Sequence, residues 1–240
     1  AMRVIRITNA VTDSRWENTK KSGNGEEMPY FISALAGYLI GGINPSYIIA
    51  RIKGFDIRTR GSGNAGASNA VITMGKAVGV FSALFDILKA FLTVCVCSAL
   101  FRGDVRVCAV AGVACIIGHM YPVFMGFDGG KGLACLGGVF FAYDFRIAVV
   151  AVLIELVLAL AVDYICIVPL TAGIALPIIN FVITRDAVTT AIYSLAAVLF
   201  VIKHTENLRR IKNGTEVRMS FLWKGKKELE RAGVTDSADK

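Results

Sequence analysis

Apolar segments make up most of the chain between residues 28 and 202, and they limit the folds that are open to it. A membrane-spanning helix needs about 20 apolar residues, with a lower limit of about 17. Segment 132–143 falls short of this length, so we expect its neighbours to shield it. The sequence predicts an all-α polytopic membrane protein with about seven transmembrane helices, in segments 29–52, 76–101, 105–121, 132–143, 146–162, 164–184 and 187–202.

The composition supports membrane residence. Hydrophobic residues make up 55% of the chain and charged residues 18%, whereas a soluble domain carries about 25% charged residues. The net charge of +8 would suggest nucleic acid in a soluble protein. In a membrane protein it reflects cytoplasmic loops and attraction to anionic lipid, so we expect a bilayer and no nucleic acid as partner. The six cysteines form no C-x-x-C pair and are interpreted as small apolar residues.

The loops differ strongly in positive charge. With the loops assigned alternately to the two membrane faces, one side holds 16 Lys and Arg residues, and the other holds 4 besides the five in residues 1–27. By the positive-inside rule the first side is cytoplasmic, which places the N-terminus outside and the C-terminus inside. We expect 1–27 to be a polar extension, disordered or not native, ahead of a start at Met28. A membrane domain over 28–218 and a basic cytoplasmic tail over 219–240 would follow.

Three polar stretches fall on the predicted cytoplasmic side, and the first is the glycine-rich loop within 53–76. Its "RGSGNAGASNA" contains G-x-G-x-x-G. A dinucleotide fingerprint also needs a preceding apolar strand and an acidic residue about 20 positions later, and neither is present. Closely spaced glycines still allow positive φ and expose backbone N–H groups, which favours an anion-binding nest. The alternative is a tight loop without a ligand.

The second stretch, "GHMYPVFMGFDGGKG" at 118–132, combines glycines with a lysine. It is not a P-loop, because that motif requires glycine where Met125 stands and Ser or Thr where Gly132 stands. Lys131 among exposed amides is nevertheless a combination that binds phosphate. His119 is either a base or a structural hydrogen-bonding residue, and the residue alone favours the structural role.

The third stretch begins where the last span ends, at 203–218. His204 and Asn207 share one helix face and can point together towards a site. The alternative is a basic helix that touches anionic lipid, which is the interpretation we prefer for Lys224, Lys226 and Lys227. No His, Cys or carboxylate cluster has metal spacing. The three stretches together predict a cytoplasmic-face pocket for an anion that is phosphate-bearing and partly apolar.

In order and spacing, these stretches resemble the bacterial integral-membrane acyl-phosphate:glycerol-3-phosphate acyltransferases of the PlsY type. The resemblance covers residues 28 to about 218. It implies seven spans in the bacterial cell membrane, with a site facing the cytoplasm and no cofactor. It also implies acyl transfer from acyl phosphate to the 1-position of glycerol 3-phosphate, giving lysophosphatidic acid and phosphate. The soluble enzyme that makes acyl phosphate is an implied partner.

The resemblance also implies roles for individual residues. Lys131, His204 and Asn207 would be catalytic, with Lys131 stabilising the leaving group and the other two ordering glycerol 3-phosphate. No side-chain nucleophile is evident, so the glycerol hydroxyl would attack directly and a substrate phosphate oxygen would take its proton. The residues implied to bind phosphate and substrate are Arg58, Gly61, Ser62, Gly63, Asn64, Gly66, Ser68, Asn69, His119, Gly129 and Gly130.

Some positions depart from the family pattern. Gly42 replaces a usual serine, Ile72 a usual arginine, and Asp128 a usual lysine, while Cys166 lies in a turn that is usually rich in serine. The lost cations subtract positive charge beside phosphate. Two alternatives therefore stay open: a transporter of a phosphorylated metabolite, for which no internal repeat is found, and a degenerate member that binds lipid or a partner. The H-x-x-x-x-D pair of acyl-CoA-dependent acyltransferases is absent.

Overall fold

The computed structural model describes residues 27–234, which form helices joined by short loops, with no strand among them. Residues 1–26 lie outside this range, as do 235–240, so nearly all of the predicted N-terminal extension and the end of the predicted basic tail lie outside the described residues. The helices are α1 Glu27–Gly41, α2 Pro45–Ile52, α3 Ala67–Met74, α4 Lys76–Leu100, α5 Val105–Met120, α6 Leu133–Tyr143, α7 Phe145–Val162, α8 Val168–Thr184, α9 Ala187–Lys212, α10 Phe221–Lys224 and α11 Lys226–Arg231.

The all-α polytopic architecture is confirmed. Six helical stretches of the described chain are long and apolar enough to cross a membrane, and α6 is a shorter apolar helix. Much of α6 is buried, as we expected for a segment too short to span, whereas α7 is mostly exposed and lies at the periphery. The predicted orientation in the membrane stays a prediction. The six stretches are Glu27–Ile52, Lys76–Leu100, Val105–Met125, Phe145–Val162, Ile165–Thr184 and Ala187–Lys212.

The first span is broken at Asn44, which links the break to the glycine-rich loop. Pro45 occupies the first turn of α2, where its missing N–H costs no hydrogen bond. The Asn44 side chain caps this helix by accepting a hydrogen bond from the Tyr47 N–H at 3.0 Å, and its Nδ2 donates to the Ala65 carbonyl at 2.9 Å. The break therefore holds one end of the glycine-rich loop in place.

Small residues let α1 and α5 approach until their backbones touch. A Cβ at Gly41 would lie 2.1 Å from the Cys115 carbonyl oxygen, and a Cβ at Gly118 would lie 2.0 Å from the Tyr38 carbonyl oxygen. Close approach through glycine is a common way for membrane helices to pack, because dispersion contacts replace the hydrophobic effect there. This contact places the end of α5, and with it His119, beside the break in the first span.

Candidate active site

A cavity of about 420 Å³ brings the three polar stretches together. Its wall contains the glycine-rich loop with the start of α3, the loop before α6, and the end of α9. Residues 165–169 before and within α8 complete the wall, together with the segment that follows α9. The predicted site residues that line it are Gly61, Ser62, Asn64, Gly66, Ser68, His119, Lys131, His204 and Asn207.

Asn69 holds the glycine-rich loop from beneath. It is fully buried, and its Nδ2 lies 2.8–3.0 Å from the carbonyl oxygens of Ile57, Arg60 and Asn64. Its Oδ1 accepts the Ser62 N–H at 2.8 Å. Every polar atom of this side chain is therefore used inside the loop. Asn69 therefore positions the loop and does not line the cavity, and its predicted role in binding substrate stays a prediction.

The glycines of this loop have different roles. Gly61 has φ +59°, and a Cβ there would lie 2.2 Å from the Asn69 Oδ1, so only glycine fits. Gly63 has φ +76°, but its N–H donates to the Arg60 carbonyl at 3.1 Å and the residue does not line the cavity. The Gly63 amide is thus bonded within the loop, and the predicted phosphate-binding role of Gly63 stays a prediction.

The first turn of α3 provides backbone donors, and sequence analysis singled out Gly66 and Ser68 there but not Ala67 or the helix N-terminus as a whole. Gly66, Ala67 and Ser68 lie at the start of this helix and line the cavity. First-turn N–H groups have no carbonyl partner within their own helix, and the helix dipole is positive at this end. No side chain caps α3. Its N-terminus therefore suits a phosphate. The small polar residues after the last glycine of the loop were the feature of the sequence from which this helix start could have been predicted.

Lys131 is the cation of the second stretch, and it contacts the third. Its Nζ donates a hydrogen bond to the Asn207 Oδ1 in the cavity wall. Burial lowers the pKa of Lys131, and the nearby Arg210 charge lowers it further. Glu216 and Glu206 offset these effects only in part, and a buried ammonium group whose charge is under-compensated favours a bound anion. Lys131 is thus placed to hold a phosphate group.

Gly129 and Gly130 do not line the cavity, because they pack against His119. A Cβ at Gly129 would lie 2.2 Å from the His119 carbonyl oxygen, and one at Gly130 would lie 2.1 Å from the His119 Nε2. The Gly130 N–H also donates to the His119 carbonyl at 3.0 Å. These two glycines shape the loop that carries Lys131, and the structure gives them no direct contact with the cavity.

Gly130→Ala is expected to lower kcat/KM by about 10-fold to 100-fold, since displacement of a site group by about 1 Å costs that much. The added methyl group must displace the His119 ring or the Lys131 loop. Steady-state kinetics of the purified protein in lipid measures the effect. Gly137→Ala is the matched control, because a Cβ there meets no atom closer than 3.9 Å. Equal activity of the two variants would contradict this role of Gly130.

Asn207 is oriented by a carboxylate that sequence analysis did not single out. Its Nδ2 donates to the Glu216 Oε1 at 2.6 Å, and Arg210 Nε donates to the Glu216 Oε2 at 2.7 Å. Because the amide nitrogen is held by Glu216, the amide oxygen points to Lys131. Arg210 could have been found from the sequence, because a residue three positions after Asn207 lies on the same helix face. Glu216 could not, because the turn after α9 brings it back to the site.

His204 is buried in the cavity wall next to this group. Its Nδ1 lies 2.8 Å from the Phe200 carbonyl oxygen, which can only accept a hydrogen bond. Nδ1 therefore carries the hydrogen, and in the neutral ring Nε2 is left as an acceptor. This tautomer can accept a hydrogen bond from a substrate hydroxyl group.

His119 belongs to a buried ionic cluster with Asp86 and Lys89. The Lys89 Nζ lies 2.6 Å from the Asp86 carboxylate and donates to the carbonyl oxygens of Gly41 and Ile43 at 2.8 and 2.6 Å. The His119 Nδ1 lies 3.4 Å from the same carboxylate. Ionisable residues within a membrane span are costly to bury, so they are rare, they pair with one another, and they indicate a functional or structural role. The cluster joins α1, α4 and α5 at the cavity wall.

This cluster does not make a metal site. Ligand atoms of Asp86, His119 and Cys135 lie within 4.8 Å of one another. The Lys89 ammonium group, however, already neutralises the Asp86 carboxylate. A metal ion there would meet a cation in hydrogen-bonding contact with its own ligand, so the arrangement is a protein ion pair.

Arg58 joins the first two polar stretches from outside the cavity. Its guanidinium pairs with Asp56 at 2.8 Å and donates to the Met125 carbonyl at 2.7 Å. The hydrogen bond with Arg58 lowers the pKa of Asp56. Arg58 does not line the cavity, and its predicted place beside the phosphate stays a prediction. Asp128 is exposed and 3.8 Å from the Arg58 guanidinium, so it lies outside the cavity as well.

The fold defines a polytopic membrane protein, and its cavity is lined by amides, hydroxyl groups and cations. A family model described as glycerol-3-phosphate acyltransferase matches residues 31–214. Glycerol-3-phosphate acyltransferase 2 of Thermotoga maritima is 35% identical over 196 residues, covering 81% of this chain and 99% of the relative. The glycerol-3-phosphate acyltransferase of Geobacter sulfurreducens is 36% identical over 187 residues, covering 78% and 96%.

Solved structures show the same relationship. The crystal structure of PlsY (YgiH), an integral membrane glycerol 3-phosphate acyltransferase, in its glycerol 3-phosphate form has a TM-score of 0.74 and 35% identity. It covers 80% of this chain and 96% of PlsY. Its lysophosphatidic acid form has a TM-score of 0.70 and 34% identity, covering 79% and 94%. The chain belongs to the glycerol-3-phosphate acyltransferase family and is an integral, multi-pass membrane enzyme.

Proposed function

We propose that this enzyme transfers a fatty acyl group from acyl phosphate to the 1-position of glycerol 3-phosphate, releasing lysophosphatidic acid and inorganic phosphate. The observation that carries the proposal is the cavity wall, which offers two separate places for phosphate. One is the uncapped N-terminus of α3 with Ser62 and Asn64, and the other is Lys131 with Arg210 nearby. Two phosphate-bearing substrates need two such places.

The proposed reaction is a direct displacement. The glycerol hydroxyl oxygen bonds to the acyl carbonyl carbon, the bond from that carbon to the phosphate oxygen breaks, and inorganic phosphate leaves. The hydroxyl proton passes to a phosphate oxygen of a substrate. Lys131 stabilises the negative charge that develops on the departing phosphate, and His204 and Asn207 order the acceptor. Catalysis then comes from positioning and electrostatic stabilisation.

The arrangement of nucleophilic side chains supports direct attack. Ser62, Ser68 and Cys166 line the cavity. Within residues 27–234, none of these three donates a hydrogen bond to a histidine or a carboxylate, although Asp86 and Glu216 lie in the same wall. An activated nucleophile requires such a base. Trapping of an acyl-enzyme would contradict this part of the proposal.

We place the enzyme in a bacterial cytoplasmic membrane with the cavity open to the cytoplasm. The excess of Lys and Arg on the loops that form the cavity supports this orientation. A soluble enzyme that produces acyl phosphate would then act as a partner on the same face. The acyl chain would lie among the spans, beside apolar wall residues that include Ile72, Leu133 and Ile165.

An assay with two donors tests the proposal. The purified protein in lipid vesicles is given glycerol 3-phosphate with either acyl phosphate or acyl-CoA, and lysophosphatidic acid is measured. We expect product from acyl phosphate alone, with equimolar phosphate release, and protein-free vesicles correct for spontaneous hydrolysis. Product from acyl-CoA would contradict the donor assignment, and no product from either donor would contradict the proposed reaction.

A further inference from the structure

A segment beyond the family match forms part of the cavity wall. The family model ends at residue 214, and the chain continues through residues 217–234, which we call the cap segment. The cap segment contains the short helices α10 and α11.

The cap segment adds only apolar side chains to the cavity. Its basic residues are absent from the wall, although Arg218, Lys224, Lys226, Lys227 and Arg231 all lie within it. The glycine-rich loop, the Lys131 loop and the end of α9 supply the amides, hydroxyl groups and cations of the wall, so the cap segment differs chemically from the surfaces that suit phosphate. The residues that it contributes are Val217, Phe221, Ala232 and Val234.

Two sets of bonds hold the cap segment across the cavity. On one side, the Asp163 carboxylate accepts the Ser220 N–H at 2.7 Å and the Ser220 hydroxyl at 2.9 Å, and the Asp163 carbonyl accepts the Met219 N–H at 2.8 Å. On the other side, Arg231 donates to the Glu216 carbonyl at 2.6 Å, and its guanidinium is held within the segment by Glu228 at 2.6 Å. The segment thus connects the turn after α7 to the end of α9.

We propose that the cap segment excludes water from the cavity, so that the activated acyl group reaches the glycerol hydroxyl and not water. This inference rests on the proposed acyl phosphate donor. In the competing reaction, a water oxygen bonds to the carbonyl carbon and the bond from carbon to the phosphate oxygen breaks. Fatty acid and phosphate result, and the proton from water is taken up by phosphate. Closure of a site against water suppresses such side reactions.

The ratio of phosphate released to lysophosphatidic acid formed tests the inference. In the wild type with saturating glycerol 3-phosphate, we expect about one phosphate released for each lysophosphatidic acid formed, which is the ratio for complete acyl transfer. Phe221→Ala removes apolar wall, and Arg231→Ala removes one attachment of the cap segment. Both are expected to raise the ratio by about twofold or more, because water gains access to the donor. Lys227→Ala is the control, since this lysine is an exposed residue of the same segment.

The outcomes separate the inference from the proposed function. Slower turnover at an unchanged ratio in both variants would overturn the inference. That result is expected if the cap segment only supports the fold, because its loss would then slow the reaction without diverting acyl phosphate from transfer to hydrolysis. A raised ratio in the control as well would also overturn it. If the wild type releases neither phosphate nor lysophosphatidic acid from acyl phosphate, the donor assignment fails, and the inference fails with it.

Discussion

Lys131→Ala is expected to reduce kcat for acyl transfer by about 100-fold or more, the loss typical when one preorganised charge or donor is removed from a transition state. Lys131 is the cavity cation that contacts Asn207, and the removal of its ammonium group leaves the departing phosphate without that charge. Single-turnover measurement of lysophosphatidic acid formation checks the effect. Lys76→Ala, at an exposed position outside the cavity, is the control, and full activity of Lys131→Ala would remove this lysine from the site.

The pH dependence gives this prediction a second readout. Burial lowers the pKa of Lys131, so the fraction of charged ammonium falls at a lower pH than for an ordinary lysine. Activity that depends on the charge is complete below this lowered pKa and is lost as the pH rises through it. Lys131→Arg retains a charge at all accessible pH values. Its residual activity should therefore persist to higher pH than the activity of the wild type. If the two pH–activity profiles fall at the same alkaline pH, the loss of activity is not due to deprotonation of Lys131.

Asn69→Asp is expected to destabilise the fold around the glycine-rich loop by about 3–5 kcal/mol, the cost of an uncompensated buried charge. The change preserves side-chain size and the acceptor for the Ser62 N–H. It replaces the Nδ2 donor, which serves the carbonyl oxygens of Ile57, Arg60 and Asn64, with a carboxylate oxygen that repels them. The loop then loses its conformation, and transferase activity is lost with it.

Thermal unfolding in detergent, with activity measured in parallel, checks this second prediction. Asn213→Asp is the matched control, since the same change of charge occurs at an exposed amide at the end of α9. The control should retain both its midpoint of unfolding and its activity. An unchanged midpoint in Asn69→Asp would show that the buried amide does not hold the loop.

Much of the architecture could be predicted from the sequence because its determinants are local. Long apolar stretches indicate spans, and 132–143 was expected to be a short, shielded segment, as α6 is. The interruption at 44–45 is likewise a local signal, since proline starts a helix readily and asparagine caps one. The three polar stretches were expected to meet at one membrane face, and all three contribute to the cavity.

The roles of individual side chains were harder to predict, because they depend on partners far away in the chain. Asn69 and Ser68 are neighbours of similar polarity, yet Ser68 lines the cavity and Asn69 is buried beneath the loop. Arg58 belongs to a basic loop, but its contacts with Asp56 and the Met125 carbonyl keep it outside the cavity. Residue type alone does not distinguish these cases.

The sequence by itself determined the spans, the break in the first span and the three stretches that form the site, because hydropathy and turn chemistry act over a few residues. Only the tertiary structure decided which polar groups remain available to a ligand. Asn69 uses all its bonds within the loop, whereas Asn207 is held by Glu216 with its oxygen directed to Lys131. The physical reason is that a buried polar group must find partners, and the identity of those partners depends on how the helices pack.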